Sequence, residues 1–249
     1  MKILLIGAGN MGSSILAGLE NRDLTVVEKD SARVDELSKR YASVKFVSEI
    51  PSLNGYVVIL AIKPQSLDTL RVNGEAEAII SILAGTSIEK LKKVVNARAY
   101  IRAMPNIAAK YRKSVTSVTG DESFRDTALE ILSVIGRAIW LDNEKMLDIA
   151  TGIGGSAPAW MAMVAEALAD GAVDLGLPRD KSYEYTAALM EGMGALLSEE
   201  HPAQIKDMVM SPGGTTAAGY AALEKGGVRD SFIEAMRACY ARTQELAAK

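Results

Sequence analysis

The feature that most constrains this chain is residues 2–12, KILLIGAGNMG. Residues 2–6 are an apolar run with isoleucine at both ends of its hydrophobic part, the pattern of a short buried strand. Gly7, Gly9 and Gly12 follow in G-x-G-x-x-G spacing, and residues 13–20 continue in a helical pattern. Each glycine has its own job in such an arrangement. Gly7 makes the tight turn out of the strand, Gly9 lets a pyrophosphate approach the backbone, and Gly12 lets helix pack closely on strand. The unpaired N–H groups that open the helix face the phosphates. The glycine spacing alone is weak evidence. Here a strand precedes it, a helix follows, a second strand is expected at 24–27, and an acid, Glu28, stands about 20 residues on. Together these predict a dinucleotide-binding βαβ unit.

Strand and helix patterns then alternate. Ser31 is placed to cap a helix over residues 32–41. Residues 45–47 and 56–61 (YVVILA) are expected strands, the second apolar on both faces as a central parallel strand must be. Residues 79–83, 99–101, 115–118 and 138–140 continue the series, with helical patterns at 66–71 and 88–95. The alternation predicts an α/β Rossmann domain, a doubly wound parallel sheet over residues 1–145. Ligands of such sheets lie outside the carboxyl ends of the strands. Three loops are expected there: residues 7–12, residues 61–64 (AIKP) and residues 102–106 (RAMPN), the later two stiffened by Pro64 and Pro105. Glu28 can hold the ribose 2′-OH of NAD and would repel the 2′-phosphate of NADP. Lys29 beside it could do the opposite, and Ser31 could donate to a phosphate, so the sequence leaves NADH and NADPH both open.

From residue 146 to residue 249 strand patterns stop, and an all-helical dimerisation domain is expected. Residues 158–175 read as one long helix whose only charges, Glu166, Asp170 and Asp174, recur every four positions. A helix with so narrow a polar stripe is expected to be buried on most sides. Further helical patterns cover 180–198, 203–210, 216–225 and 231–248. A hundred residues of this kind predict subunit contacts and a homodimer with the long helix at its centre. Between two of the helices lies SPGGTT, Ser211, Pro212, Gly213, Gly214, Thr215 and Thr216. Pro212 ends one helix, the glycines expose backbone, and the threonines open the next helix with hydroxyls and free N–H groups. Such a segment can receive a small anion such as a carboxylate; a plain helix–turn–helix link with a threonine cap fits it equally well.

Composition narrows the function classes. A net charge of −3 and the lack of a Lys/Arg block argue against nucleic acid as the main partner. One cysteine, Cys239, and one histidine, His201, make disulfide, zinc or iron chemistry improbable and no metal is expected. The N-terminal apolar run is too short for a signal peptide, and no run of 18 uncharged apolar residues exists to span a membrane. A cytoplasmic protein is expected.

With these residues in hand, the chain resembles the pyrroline-5-carboxylate reductases, which carry out the last step of proline synthesis. The resemblance covers nearly the whole length. It rests on IGAGNMG at 6–12, AIKP at 61–64, RAMPN at 102–106, LGLPRD at 175–180 and, most specifically, HPAQIKDMVMSPGGTTAAGYAAL at 201–223. It implies a Rossmann domain followed by a helical domain that interlocks two subunits, with dimers that can associate further into rings. By motif it implies that Ile6, Gly7, Ala8, Gly9, Asn10, Met11 and Gly12, with Ala61, Ile62, Lys63 and Pro64, bind NADPH or NADH. Ser211, Gly213, Gly214, Thr215 and Thr216 would hold the carboxylate of 1-pyrroline-5-carboxylate, with Thr216 close to the ring nitrogen. Met104, Pro105 and Asn106 would line the nicotinamide pocket. The chain departs from the family pattern S-G-S-G-P-A-Y with Gly154, Gly155, Ser156, Ala157, Pro158, Ala159 and Trp160, which bears on cofactor preference more than on reaction.

The residue set suits an imine. A ketone reductase must protonate a developing alkoxide and needs a placed acid. His201 precedes a proline at a helix junction and reads as structural, and the Tyr41-x-x-x-Lys45 match lies far from where hydride would move. A protonated cyclic imine is already a cationic electrophile, so position and electrostatics suffice. Thr216 fits that demand; Glu199 reads as a solvated helix-end residue. Dehydrogenases of the 3-hydroxyisobutyrate or 6-phosphogluconate type carry a catalytic lysine on the long helix, and residues 152–180 contain none. A nucleotide sensor that lost turnover would be expected to lack the anion segment, which is intact here.

Overall fold

In a computed structural model, which describes residues 1–247, eight strands form one sheet in the order β3-β2-β1-β4-β5-β6-β7-β8. β1 (Lys2–Ile6), β2 (Asp23–Val27), β3 (Lys45–Val47), β4 (Tyr56–Leu60), β5 (Ala78–Ser81) and β6 (Tyr100–Met104) run parallel. β1 lies between β2 and β4, and its side chains alternate between two cores. Ile3 and Leu5 join one, with Leu16, Val26 and Ile131; Leu4 and Ile6 join the other, with Val58, Leu60 and Leu91. A strand covered on both faces must be apolar at every position, which is why the 2–6 and 56–60 runs do not alternate.

β7 (Ser114–Gly120) pairs antiparallel with β6, and β8 (Gly136–Trp140) pairs parallel with β7, so the last two strands oppose the other six. This corrects the expectation of a uniformly parallel sheet. A parallel connection needs a crossover of a dozen or more residues. The link between β6 and β7 is shorter and holds only a 3-10 turn, Ile107–Tyr111. Between β7 and β8 the chain has room for α4 (Arg125–Leu132), and there the pairing is parallel again.

Three local readings shift. α1 starts at Asn10, not residue 13, because Gly9 itself is the cap residue (α1, Asn10–Leu19). α2 (Ser31–Arg40) is capped by the Asp30 carboxylate, which accepts from the N–H groups of Ala32 and Arg33, and not by Ser31. Residues 66–71 form no α-helix; only a 3-10 turn, Pro64–Ser66, is present. Leu67 alone is fully buried in this segment, and one anchor offers no face to sustain a helix. α3 (Ile88–Val94) is as expected within a residue, capped by Ser87.

α5 (Glu144–Thr151) leads into a π-helical turn, Gly152–Ser156, and then α6 (Ala157–Asp174), α7 (Arg179–Glu199), α8 (Pro202–Val209), α9 (Thr215–Lys225) and α10 (Val228–Ala247). The expected helix at 231–248 ends on a residue outside those described. The chain divides into two compact units. One holds residues 1–155 and the C-terminal end from Cys239; the other holds Ser156–Ala238, in which α6 packs along α7. Within the single chain the long apolar helix, expected at the centre of a homodimer, is largely uncovered. Ala169 is the one buried residue of α6, while Met163 is 59% and Leu168 49% exposed. Among the described residues, no helix is long and apolar enough to cross a membrane.

Candidate active site

The glycine loop joins β1 to α1. Gly7 has φ +98°, and a Cβ there would lie 2.8 Å from the Ala61 carbonyl oxygen, so the turn leans on the loop after β4. A Cβ on Gly12 would meet the Gly7 carbonyl oxygen at 2.2 Å, which only glycine permits. Gly9 differs: nothing lies within 4 Å of the point where its Cβ would be. The loop is therefore closed on the protein side at Gly7 and Gly12 and open in front of Gly9. α1 begins with no side-chain cap and no acid in its first turn, leaving its leading N–H groups to an outside acceptor.

Glu28 leaves the end of β2 and reaches back to this loop. Its Oε2 accepts from Ala8 N–H at 2.9 Å, and its Oε1 accepts from the N–H groups of Lys29 and Asp30 at 2.8 and 3.1 Å. Ile6, Gly7, Glu28, Lys29 and Ile62 share a cleft of about 550 Å³ outside the carboxyl ends of β1, β2 and β4. Asn10 and Met11 line a different cleft, of about 450 Å³, with Arg33 and Lys110. Lys63 precedes the 3-10 turn that Pro64 starts, and both side chains are exposed. These residues fit a dinucleotide: open backbone at Gly9, unfilled N–H groups on α1, and a carboxylate at the ribose position.

The RAMPN loop is tied down more tightly than its sequence discloses. Asn106 is buried and its amide is engaged at both ends. Oδ1 accepts from Ala108 N–H at 3.1 Å, and Nδ2 donates to the Gly154 carbonyl at 2.8 Å, joining the loop to the π-turn. Its backbone N–H donates to Ser114 Oγ. Pro105 is buried, and Met104 Cε lies 3.6 Å from the Cβ position of Gly155. Sequence reasoning missed Arg102 as an anchor. Its buried guanidinium donates to Glu144 at 2.7 Å and to Asp148 at 3.1 Å, and Asp148 also accepts from Gln244. Glu144 in turn accepts the Ile88 N–H that opens α3. The available signal was an arginine inside an apolar strand with two acids four apart on a later helix.

In the second unit, Ser211, Pro212, Gly213, Thr215 and Thr216 are exposed on the link between α8 and α9. Gly213 has φ +70°, and a Cβ on Gly214 would meet Ser211 Oγ at 2.5 Å. Gly214 caps α9 without a side chain, and α9 has no acid in its first turn. His201 caps α8, its Nδ1 accepting from Ala203 N–H while Gln204 Oε1 accepts from His201 N–H. Near the end of α9, Glu224 accepts from Arg229 at the start of α10, and Arg229 and Tyr220 hold that carboxyl below the usual range. Tyr41 is a buried core residue under Arg40, at the edge of the cleft that Asn10 and Met11 line.

A Rossmann sheet with an uncapped glycine-loop helix and an acid at the end of the second strand defines an NAD(P)-dependent oxidoreductase. A family model described as pyrroline-5-carboxylate reductase dimerisation matches residues 144–246, and one described as NADP oxidoreductase, coenzyme F420-dependent, matches residues 2–85. The chain is 40% identical to a pyrroline-5-carboxylate reductase of Synechocystis sp. and 34% identical to one of Thermus thermophilus, covering 98% and 99% of this chain and 98% of each relative. A solved pyrroline-5-carboxylate reductase from Coxiella burnetii superposes with a TM-score of 0.88 at 26% identity, covering 99% of this chain and 98% of that one. The chain belongs to the pyrroline-5-carboxylate reductase family.

Proposed function

We propose that this chain reduces the cyclic imine of 1-pyrroline-5-carboxylate to L-proline with NADPH or NADH, the last step of proline biosynthesis. The observation that carries the reading is shared by two helices. α1 and α9 each open on a glycine, with no side-chain cap and no acid in the first turn. α2, α3, α5 and α8 are instead closed by Asp30, Ser87, Asn143 and His201. A helix start kept free of its own cap suits an anionic ligand. One such start takes the diphosphate and the other the substrate carboxylate.

The reduced nicotinamide, when bound, supplies the hydride. The chain's residues do the rest. Residues 6–12 and 61–64 grip the dinucleotide, with Gly9 giving the phosphates backbone access. Ser211, Gly213, Gly214 and Thr215 hold the carboxylate, and the Thr216 hydroxyl hydrogen-bonds the ring nitrogen. Met104 and Pro105 line the nicotinamide side, while Asn106 holds their loop against the Gly154 carbonyl. Hydride addition to a protonated imine removes charge, so no strong acid is needed. The enzyme is a cytoplasmic homodimer, able to associate further into rings, whose helical domain covers the exposed Met163 and Leu168 of α6.

Mixing the protein with 1-pyrroline-5-carboxylate and either reduced cofactor should consume the cofactor and yield proline in equal amounts. Thr216→Ala should lower turnover roughly tenfold or more, the loss of one positioned hydrogen bond of about 1.4 kcal/mol. Consumption of neither cofactor would leave a nucleotide sensor as the better reading, and unchanged kinetics in the variant would remove Thr216 from the mechanism.

A further inference from the structure

We infer that Asn106 is a positioning residue for hydride transfer, and that it acts through a backbone carbonyl that Pro158 leaves without a helical donor. The inference rests on the proposed nicotinamide role of Met104 and Pro105, the two residues before it in the loop.

In an α-helix the carbonyl of residue 154 is taken by the N–H of residue 158. Residue 158 is a proline, which has no N–H and whose ring collides with the carbonyl four residues back. The chain yields there and winds as the π-turn Gly152–Ser156 before α6 begins. Such turns are rare and recur at functional sites. Gly154 is buried, and a buried carbonyl needs a donor. The Asn106 Nδ2 supplies one at 2.8 Å.

Asparagine is the side chain this place demands. Its backbone N–H donates to Ser114 Oγ on β7 at 3.0 Å, and its backbone carbonyl accepts from Ala109 N–H at 3.0 Å. The Oδ1 accepts from Ala108 N–H at 3.1 Å, so a donor faces the amide oxygen and an acceptor faces the amide nitrogen. The amide fits only one way round. An ionised aspartate of the same size would have no proton for the Gly154 carbonyl. A serine would keep the cap on Ala108 but is too short to reach the turn. Met104 Cε, 3.6 Å from the Cβ position of Gly155, makes a second contact between loop and turn. The loop proposed to wall the nicotinamide thus takes its place from the π-turn, while residues 6–12 hold the other end of the dinucleotide. Loss of the tie spares binding at that end and moves the wall. A displacement of about 1 Å between reacting partners costs on the order of a hundredfold in rate.

The test combines steady-state kinetics of the intact protein on 1-pyrroline-5-carboxylate and reduced cofactor with calorimetry of ADP-ribose, which lacks nicotinamide. Asn106→Asp should lower kcat about tenfold or more at about pH 8.5, where the carboxyl is ionised, with ADP-ribose affinity within about twofold. At about pH 6 its kcat relative to the unmodified enzyme should climb about fivefold or more, because burial makes the carboxyl take up a proton early and its O–H then donates. The Ser114 and Thr116 hydroxyls beside it do not titrate in this range. The ion cluster of Arg102, Glu144 and Asp148, and Lys110 and Tyr111 on the 3-10 turn, are common to both enzymes and cancel in the ratio. Asn106→Ser brings no buried charge and serves where the aspartate variant folds poorly. It should lose about fivefold or more in kcat, with no recovery in acid. A merely structural role would lower the thermal midpoint and ADP-ribose affinity together and leave kcat of the folded protein where it was. That pattern, kcat within about twofold in both variants, or a loss in the aspartate variant that persists in acid, overturns the inference and leaves the reductase reading intact. No turnover by the unmodified protein would overturn that reading and this inference with it.

Discussion

Gly9 and Gly12 stand in one motif yet are glycine for opposite reasons. At Gly12 a Cβ would enter the space of the Gly7 carbonyl oxygen, 2.2 Å away; at Gly9 it would touch nothing within 4 Å. Gly12→Ala must therefore force helix and strand apart, at a cost of about 1–3 kcal/mol. Gly9→Ala should leave stability within about 0.5 kcal/mol and instead weaken dinucleotide binding tenfold or more, because its methyl group fills the approach of the pyrophosphate. Denaturant midpoints and cofactor titrations on the two variants check this; equal effects of both on stability would contradict it. The motif was legible as a motif, but which glycine serves packing and which serves access was not. The same holds at the second strand's end. Asp30, one position before the expected cap, takes the capping role because its carboxylate reaches two N–H groups where a hydroxyl at Ser31 is already inside the helix.

Among the elements, strands buried on both faces and long helices stood out in the sequence. Apolar runs at 2–6 and 56–60 cannot be anything else at that length. The reversal of β7 did not stand out, since strand direction depends on the length of the connecting link and not on the strand's own composition. The RAMPN loop shows a second limit. Its letters gave its position at the end of β6, but the ties that hold it come from 40 or more residues away, from Glu144, Asp148 and Gly154. Arg102→Met would leave two carboxylates around an apolar side chain. It should destabilise the protein by about 2–4 kcal/mol, read from the urea midpoint. A change below about 0.5 kcal/mol would mean that the ion cluster is screened and does not anchor α5.

For the whole molecule, the apolar helices of the second unit carry the main disagreement between pattern and single chain. α6 was expected to be enclosed, and within one chain it leaves Met161, Met163 and Leu168 exposed. Exposed apolar surface on this scale marks an interaction site, and the matched dimerisation model covers residues 144–246. If a second copy of the chain covers α6, the thermal midpoint should rise with protein concentration, since association stabilises only the folded state. Sedimentation should then find dimers or multiples of dimers. A monomer with a concentration-independent midpoint would contradict that assembly.

The central claim is that a hydride passes from a reduced nicotinamide to the carbon–nitrogen double bond of 1-pyrroline-5-carboxylate. Cofactor deuterated at the transferable position of nicotinamide C4, incubated with enzyme and imine, tests it directly by mass spectrometry of the product. The prediction is proline carrying one deuterium at its δ-carbon for each cofactor oxidised. Proline without the label, or oxidised cofactor without proline, would contradict it.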